Sequence, residues 1–362
     1  MRVAFLIGVV AWLILLAGCA GGRSASPPTP SQNSIPAGKV TETGFTASLT
    51  PTPTGSDKVV LGLFPLGLQA FGVFMGQHGG FFEASGVEVE LQHVPKGETI
   101  TALQQGDVDV GVSPLHEVVE AVHSGEALVV FGLVSTRSPL NLVVKRGLVA
   151  ALGITRSTPL EERLGVLKGL TIGLESGPLA QGVMREISRA AGLDPAVGEI
   201  TLVEVDGEEQ MSALREGRVD GLLARHPFLE EALLEAEGFL LVHLSKGEIS
   251  ALDPLAWLVL VTTPEFRDAK PSALVGLLLG LRNAARSAGV DPKTARTWLE
   301  PAFPEMSAPL LELGVALNMP AVPSIPIVTP GAYATLVGTV GVTSVPFGIV
   351  VDNTFIIQIL PI

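Results

Sequence analysis

Three consecutive residues, Ser176-Gly177-Pro178, stand where an apolar run (residues 170–174) gives way at once to a 3.6-residue period carried by Leu179, Val183, Ile187 and Ala190. A strand that enters a helix with no ordinary loop leaves free backbone N–H groups at the helix start, here beside a serine hydroxyl. Glycine lets a ligand approach the backbone, and proline suits the first helical position. Together they can cradle a small anion or polar group; the plainer alternative is a helix cap with no ligand. Arg225-His226, in "LARHPF", offer a second donor set. A guanidinium in a cleft holds sulfonate, carboxylate or phosphate through two parallel hydrogen bonds, whereas a surface arginine would pair with Glu230 or Glu231.

Other chemistries lack their residues. His78, His93, His116, His123 and His243 are scattered, with no second histidine or acid at ligand spacing, so no metal is expected. Ser113 and His116 lie close in "GVSPLHE", but the final glycine of a nucleophile elbow is missing, and sequence neighbours rarely form a nucleophile–base pair. There is no phosphate loop with its lysine and no dinucleotide glycine fingerprint, so no cofactor is expected. The formal charge of −13 argues against nucleic acid, and its field repels small anions at long range, so an anion site must rely on local donors.

The elements that must position these residues alternate strand and helix patterns from Lys58 onward, which makes the class α/β. The pattern repeats. "LGLFPLGL" matches "IGLESGPL", and "ETITALQQGDVD" matches "EQMSALREGRVD", both at an offset of 111 residues (173 − 62 and 220 − 109). Each half reads strand, tight loop, helix, strand, helix, glycine, strand, with second strands at 87–93 and 199–205. Gly106 and Gly217 should close their helices, and Asp109 and Asp220 should bond loop amides in a structural role. Two equivalent halves imply two lobes, with a ligand in the cleft at the carboxyl ends of their strands. The offset puts Phe64, Pro65, Leu66 and Gln69 opposite the Ser176 turn, as an apolar jaw facing a polar one. Ser113 and, after "VVFGLV", Ser135 and Thr136 add hydroxyls at strand ends, with Arg137 a weaker candidate. Further on, residues 255–263 read as a strand and 264–288 as one long helix ending before Gly289; the apolar remainder should pack on the first lobe. Glycine and proline interrupt its apolar runs, so these read as core rather than membrane spans.

The N-terminus carries the most specific short motif. Arg2, an apolar stretch over residues 3–16 and "LAGC" ending at Cys19 form a secretory signal with a lipobox-like end. Residues 1–18 are therefore expected to be removed and Cys19, the only cysteine, to carry lipid. Residues 19–56, rich in Gly, Ser, Thr and Pro, form a tether.

The lipobox, "GGFFEASGVEVELQHV", "ALQQGDVDVGVSP", "GLTIGLESGPLAQGVMREISRAAGLDP", "ALREGRVDGLLARHPF" and "LVTTPEFRDAKPSALVGLLLGLRNAA" occur in one order. In this the chain resembles the substrate-binding lipoproteins of bacterial ABC importers for nitrate, sulfonates and taurine, together with their thiamine-pyrimidine-precursor relatives. The resemblance implies a two-lobed type II periplasmic-binding-protein fold with a hinge, lobe one over 57–145, lobe two over 146–250, and a return to lobe one over 251–362. It implies no enzymatic activity and a monomeric protein lipid-anchored outside the cytoplasm. Its partners would be a small-molecule ligand and an ABC permease with its ATPase. It places Ser176, Gly177 and Pro178 at the ligand, and many relatives carry an aromatic residue where this chain has Arg225. One polar and one apolar jaw favour a small organic anion of the sulfonate or taurine kind; a pyrimidine or other heterocycle is the alternative. An enzyme on the same fold, akin to pyrimidine synthases or menaquinone-pathway enzymes, is a third reading.

Overall fold

The computed structural model describes residues 57–64 and 67–360; the signal, the tether, Cys19, Pro65 and Leu66 lie outside them. Ten strands form two five-stranded sheets. The first is ordered β2 (Val87–His93), β1 (Asp57–Leu63), β3 (Val110–Pro114), β10 (Leu258–Thr262), β4 (Val129–Ser135). The second is ordered β7 (Thr201–Glu204), β6 (Thr171–Leu174), β8 (Gly221–Ala224), β5 (Asn141–Lys145), β9 (Gly238–Val242). In each sheet the first three strands run parallel and the inner fourth is antiparallel to both neighbours.

The repeat holds to the residue. Leu61 pairs with Leu91 and Val110, and Ile172, 111 positions on, pairs with Leu202 and Gly221. A Cβ on Gly62 would press on Val108 and Val94; one on Gly173 would meet Leu222, Val219 and Val205. The valines at Val94 and Val108 thus recur as Val205 and Val219, and the strand must be bare where they cross it. Asp109 accepts the Val60 amide at 2.8 Å, and Asp220 accepts that of Thr171 at 2.8 Å. Both aspartates tie the third strand to the first, the structural role read from the sequence. Gly106 and Gly217 end their helices at φ +74° and +78°, where a side chain would be strained.

The chain crosses from the first sheet to the second after β4 and returns before β10, and the two crossings are stitched side by side. Trp257 N donates to Ser135 O at 3.0 Å and Leu255 N to Thr136 O at 2.9 Å. Arg137 Nε meets Asp253 Oδ1 at 2.9 Å, and Asn141 Nδ2 donates to Ser245 Oγ at 2.9 Å. Paired segments of this kind can bend as one unit.

Two expectations need correction. The helix expected over 264–288 is two, Pro264–Ala269 and Pro271–Val290. Pro271 lacks an amide and its ring disfavours a helical Lys270, which sits at φ −134°, so the first helix stops there. The second runs through Gly289, and Asp291 caps the next helix, Pro292–Leu299, by accepting from Lys293 and Thr294 amides. The C-terminal remainder does not keep to the first sheet. Helix Ala308–Asn318 puts Leu317 among Val143, Leu222 and Leu229, while Leu311 and Val315 join Leu68, Phe71 and Leu299. Helix Pro330–Val340 lies on helix Pro178–Ala190, where Gly182 leaves space for Thr339 O and Arg185 Nη2 donates to that oxygen at 2.8 Å. Val351 then returns to bridge Val130. Hydrophobic burial dictates this: the apolar tail covers whichever exposed faces lie nearest. No helix among the described residues is long and apolar enough to cross a membrane.

Candidate functional site

The carboxyl ends of β1, β3, β6 and β8 face one another across the seam between the sheets. At β6 the chain turns through Glu175-Ser176-Gly177, with Gly177 at φ +122° and Pro178 opening helix Pro178–Ala190. The strand enters the helix through this turn without an ordinary loop, and a carboxylate of the chain itself takes the Ser176 donors. Ser176 N donates to Asp206 Oδ1 at 2.7 Å and Ser176 Oγ to Asp206 Oδ2 at 2.7 Å. The backbone and hydroxyl bonds of Ser176 hold the Asp206 carboxyl below its ordinary range, with Lys96 and Arg225 adding attraction.

Arg225, at the end of β8, does not pair with Glu230 or Glu231. Its Nη2 lies 2.6 Å from Glu175 Oε2, with about a quarter of the arginine and a sixth of the glutamate side chain exposed (25% and 17%). Burial pushes the Glu175 carboxyl up, opposed by the charges of Arg225 and Lys96. Glu230 is instead fully buried, its Oε1 accepting from Asn318 Nδ2 at 3.2 Å and its Oε2 lying 3.2 Å from His226 Nδ1. The His226 ring closes the seam: a Cβ on Gly67, at φ +53°, would stand 2.7 Å from His226 Cδ2.

On the first sheet's side Ser113 is buried and donates to Glu117 Oε2 at 3.3 Å and to Pro114 O at 3.4 Å. Burial pushes the Glu117 carboxyl up, while the Ser113 hydrogen bond and Lys96 pull it down. His116 stacks on Trp257 at 5.7 Å and is not among the hydrogen-bond partners of Ser113. Desolvation pushes its imidazole down to about 4. His116 Nδ1 and Trp257 Nε1 are buried without a protein partner. Ser113 and His116 therefore form no nucleophile–base couple.

The residues singled out in the sequence divide into groups. Ser113, Ser176, Gly177, Pro178, Arg225 and His226 lie at strand ends on the seam. Phe64 is packed in the core. Gln69 and Ser135 line a void of about 10 Å³ with Asn318, room for one water at most. Ser135 and Thr136 belong to the stitched crossings, as does Arg137. Lys96, Glu117, Glu175 and Asp206 were missed, although Glu175 adjoins Ser176 in "LESGP". Among the described residues no group of three or more His, Cys, Asp or Glu could hold a metal ion.

A model of the family described as NMT1/THI5 like matches residues 68–295, well over half of the chain. No curated protein matches it. Among solved structures, the ligand-binding component of an ABC-type import system from Staphylococcus aureus is similar at 15% identity and TM-score 0.61, over 84% of this chain and 99% of that one. The periplasmic aliphatic sulphonate binding protein SsuA from Escherichia coli is similar at 16% identity and TM-score 0.59, over 79% and 91%. A putative periplasmic sulfonate-binding protein from Methylobacillus flagellatus gives 14% identity and TM-score 0.57, over 84% and 93%. At these identities the likeness establishes the fold, two-lobed and α/β.

Proposed function

The chain belongs to the NMT1/THI5-like family, and from that premise we propose that it is the extracytoplasmic solute-binding component of an ABC importer. It captures a small organic solute at the seam between its sheets and presents the closed form to a permease with its ATPase. The observation that carries this reading is the meeting of Gly67 and His226 at opposing strand ends, joined by two stitched crossings that can serve as a hinge. Only a solute that binds the closed state better than the open one can drive such a cycle. The lobes would run 57–145 and 146–250, with 251–362 completing the first and, through its helices, touching the second. Lipid on Cys19 and the tether would hold the module at a membrane as a monomer; palmitate labelling that disappears in Cys19→Ser tests the anchor.

The solute class has two readings. A sulfonate-like anion is supported by the sulfonate-binding proteins among the structural neighbours, and a taurine-like one by the family resemblance of the sequence. A pyrimidine-like heterocycle is favoured by the stacked His116–Trp257 pair, whose buried ring nitrogens lack partners. Catalysis finds no support in the site, where Ser113 bonds to Glu117 and Pro114 rather than to His116.

A thermal-shift panel of alkane- and arylsulfonates, nitrate, amines and pyrimidines on the purified full-length protein tests the proposal. A solute at a hundredfold its Kd adds about 2.7 kcal/mol, a midpoint rise of roughly 5 °C. Silence across the panel would count against a solute-binding role.

A further inference from the structure

At the end of the second sheet the side-chain donors Ser176 and Arg225, with the Ser176 amide, are already engaged by the chain itself. The Ser176 amide and hydroxyl go to Asp206, and the Arg225 guanidinium goes to Glu175. Lys96 reaches across from the first sheet, but its charge acts on Glu117, Glu175 and Asp206 alike. Two cations thus face three carboxylates, on a chain whose formal charge is −13. A sulfonate or nitrate using the Ser176 donors would have to displace a carboxylate that makes two 2.7 Å bonds, and one bound anywhere in the turn would sit beside the charges of Asp206 and Glu175.

We infer that Asp206 and Glu175 are specificity-determining residues: as built-in counter-anions they hold the Ser176 and Arg225 donors and exclude small anionic solutes, reserving the seam for a solute with no anionic head. This rests on the solute-binding reading above and decides between its two solute classes. It accounts for a cradle of the right geometry in a chain of the wrong field. The two carboxylates work differently. Asp206 is kept ionised by its hydrogen bonds, so the cradle stays filled at neutral and mildly acidic pH. Glu175 is partly desolvated and depends on Arg225 to remain charged. Loss of Glu175 alone should therefore free the guanidinium, and loss of Asp206 alone should free the serine donors.

The test is calorimetric titration of full-length wild type, Asp206→Ala, Glu175→Ala and the double variant with methanesulfonate and with nitrate. Wild type should show no anion binding in the millimolar range. Each single variant should gain affinity by about tenfold, and the double variant by more, because charge-assisted donors are released. Wild type binding either anion as tightly as the double variant would overturn the inference. So would a folded double variant that gains nothing. If the alanine pair does not fold, Asp206→Asn with Glu175→Gln removes the charges while amide oxygens can still accept; it should gain a smaller anion affinity, and no gain overturns the inference. The result is separable from the solute-binding proposal: a silent panel on wild type refutes that proposal, while anion binding gained on removing the carboxylates still stands.

Discussion

The two halves of the molecule share a backbone and differ at its ends. At an offset of 111 in the sequence, Phe64, Pro65, Pro95 and Pro114 of the first half correspond to Glu175, Ser176, Asp206 and Arg225 of the second. One set has no charge and no side-chain donor. The other is a closed network of two ion-paired or hydrogen-bonded couples. Behind these ends the halves agree: Gly62 with Gly173, Asp109 with Asp220, Val108 with Val219. The difference teaches that the strands and their aspartate ties are scaffold, while the residues just beyond them are free to acquire chemistry. At these four equivalent positions charge has accumulated on the second half only. The first half's charges, Lys96 and Glu117, stand at positions equivalent to Gly207 and Phe228, so the seam is asymmetric although the frame is not.

The frame's equivalence can be broken most forcefully at its centre. Leu61→Ala and Ile172→Ala remove fully buried side chains at matching register positions, and each should cost about 2–5 kcal/mol in urea unfolding. A single shared transition would show that both sheets unfold together; two transitions would show that each half stands alone.

Next in size is an acid effect at His116 in the first half, although burial lowers His243 in the second half as well. The His116 imidazole is pushed down to about 4, so the fold holds it neutral. Its contribution is complete above the unfolded value near 6.5 and is lost as pH falls from 6.5 towards 4, up to about 3 kcal/mol. His116→Leu should flatten the acid limb of a stability–pH curve over that window, and an unchanged limb would contradict this role of His116. Asp109→Ala and Asp220→Ala should then cost nearly equal amounts, about 1–3 kcal/mol each, since each leaves a strand amide unpaired. A large disparity in chemical denaturation would contradict their equivalence. The smallest stability effect belongs to Gly67→Ala, about 1 kcal/mol for a side chain at φ +53°, with a larger loss of solute affinity as the new methyl meets His226.

Much of the frame was legible in the sequence because it rests on local signals. Glycine at a helix end, valine starting a strand and an aspartate after it recur at fixed spacing, and β2 has the bounds read from the alternation. The site was legible only in part. The Ser176 turn is local and was found; its partner Asp206 lies thirty residues away and meets it only when β7 pairs with β6. Arg225 was a candidate, but its partner Glu175 comes from the end of another strand, and nearby Glu230 and Glu231 were the sequence-local choices. Ser135 and Thr136 read as ligand hydroxyls because they end a strand. Their backbone carbonyls serve the crossing, where the returning chain donates to them, and the Ser135 hydroxyl turns to Arg137 O at 3.3 Å. The tail was hardest to read: its nearly all-apolar helices carry no stripe to say which sheet they should cover.

Closure about the crossings is the central claim, and a distance tests it directly. Gln105 and Glu216 are exposed and equivalent, 111 residues apart, one on each half. Spin labels at these two positions in a Cys19→Ser background report separation of the sheets. With a stabilising solute from the panel, the distance distribution should narrow and shift to a different mean, and Gly67→Ala should suppress the change. An identical distribution with and without that solute would contradict capture by closure.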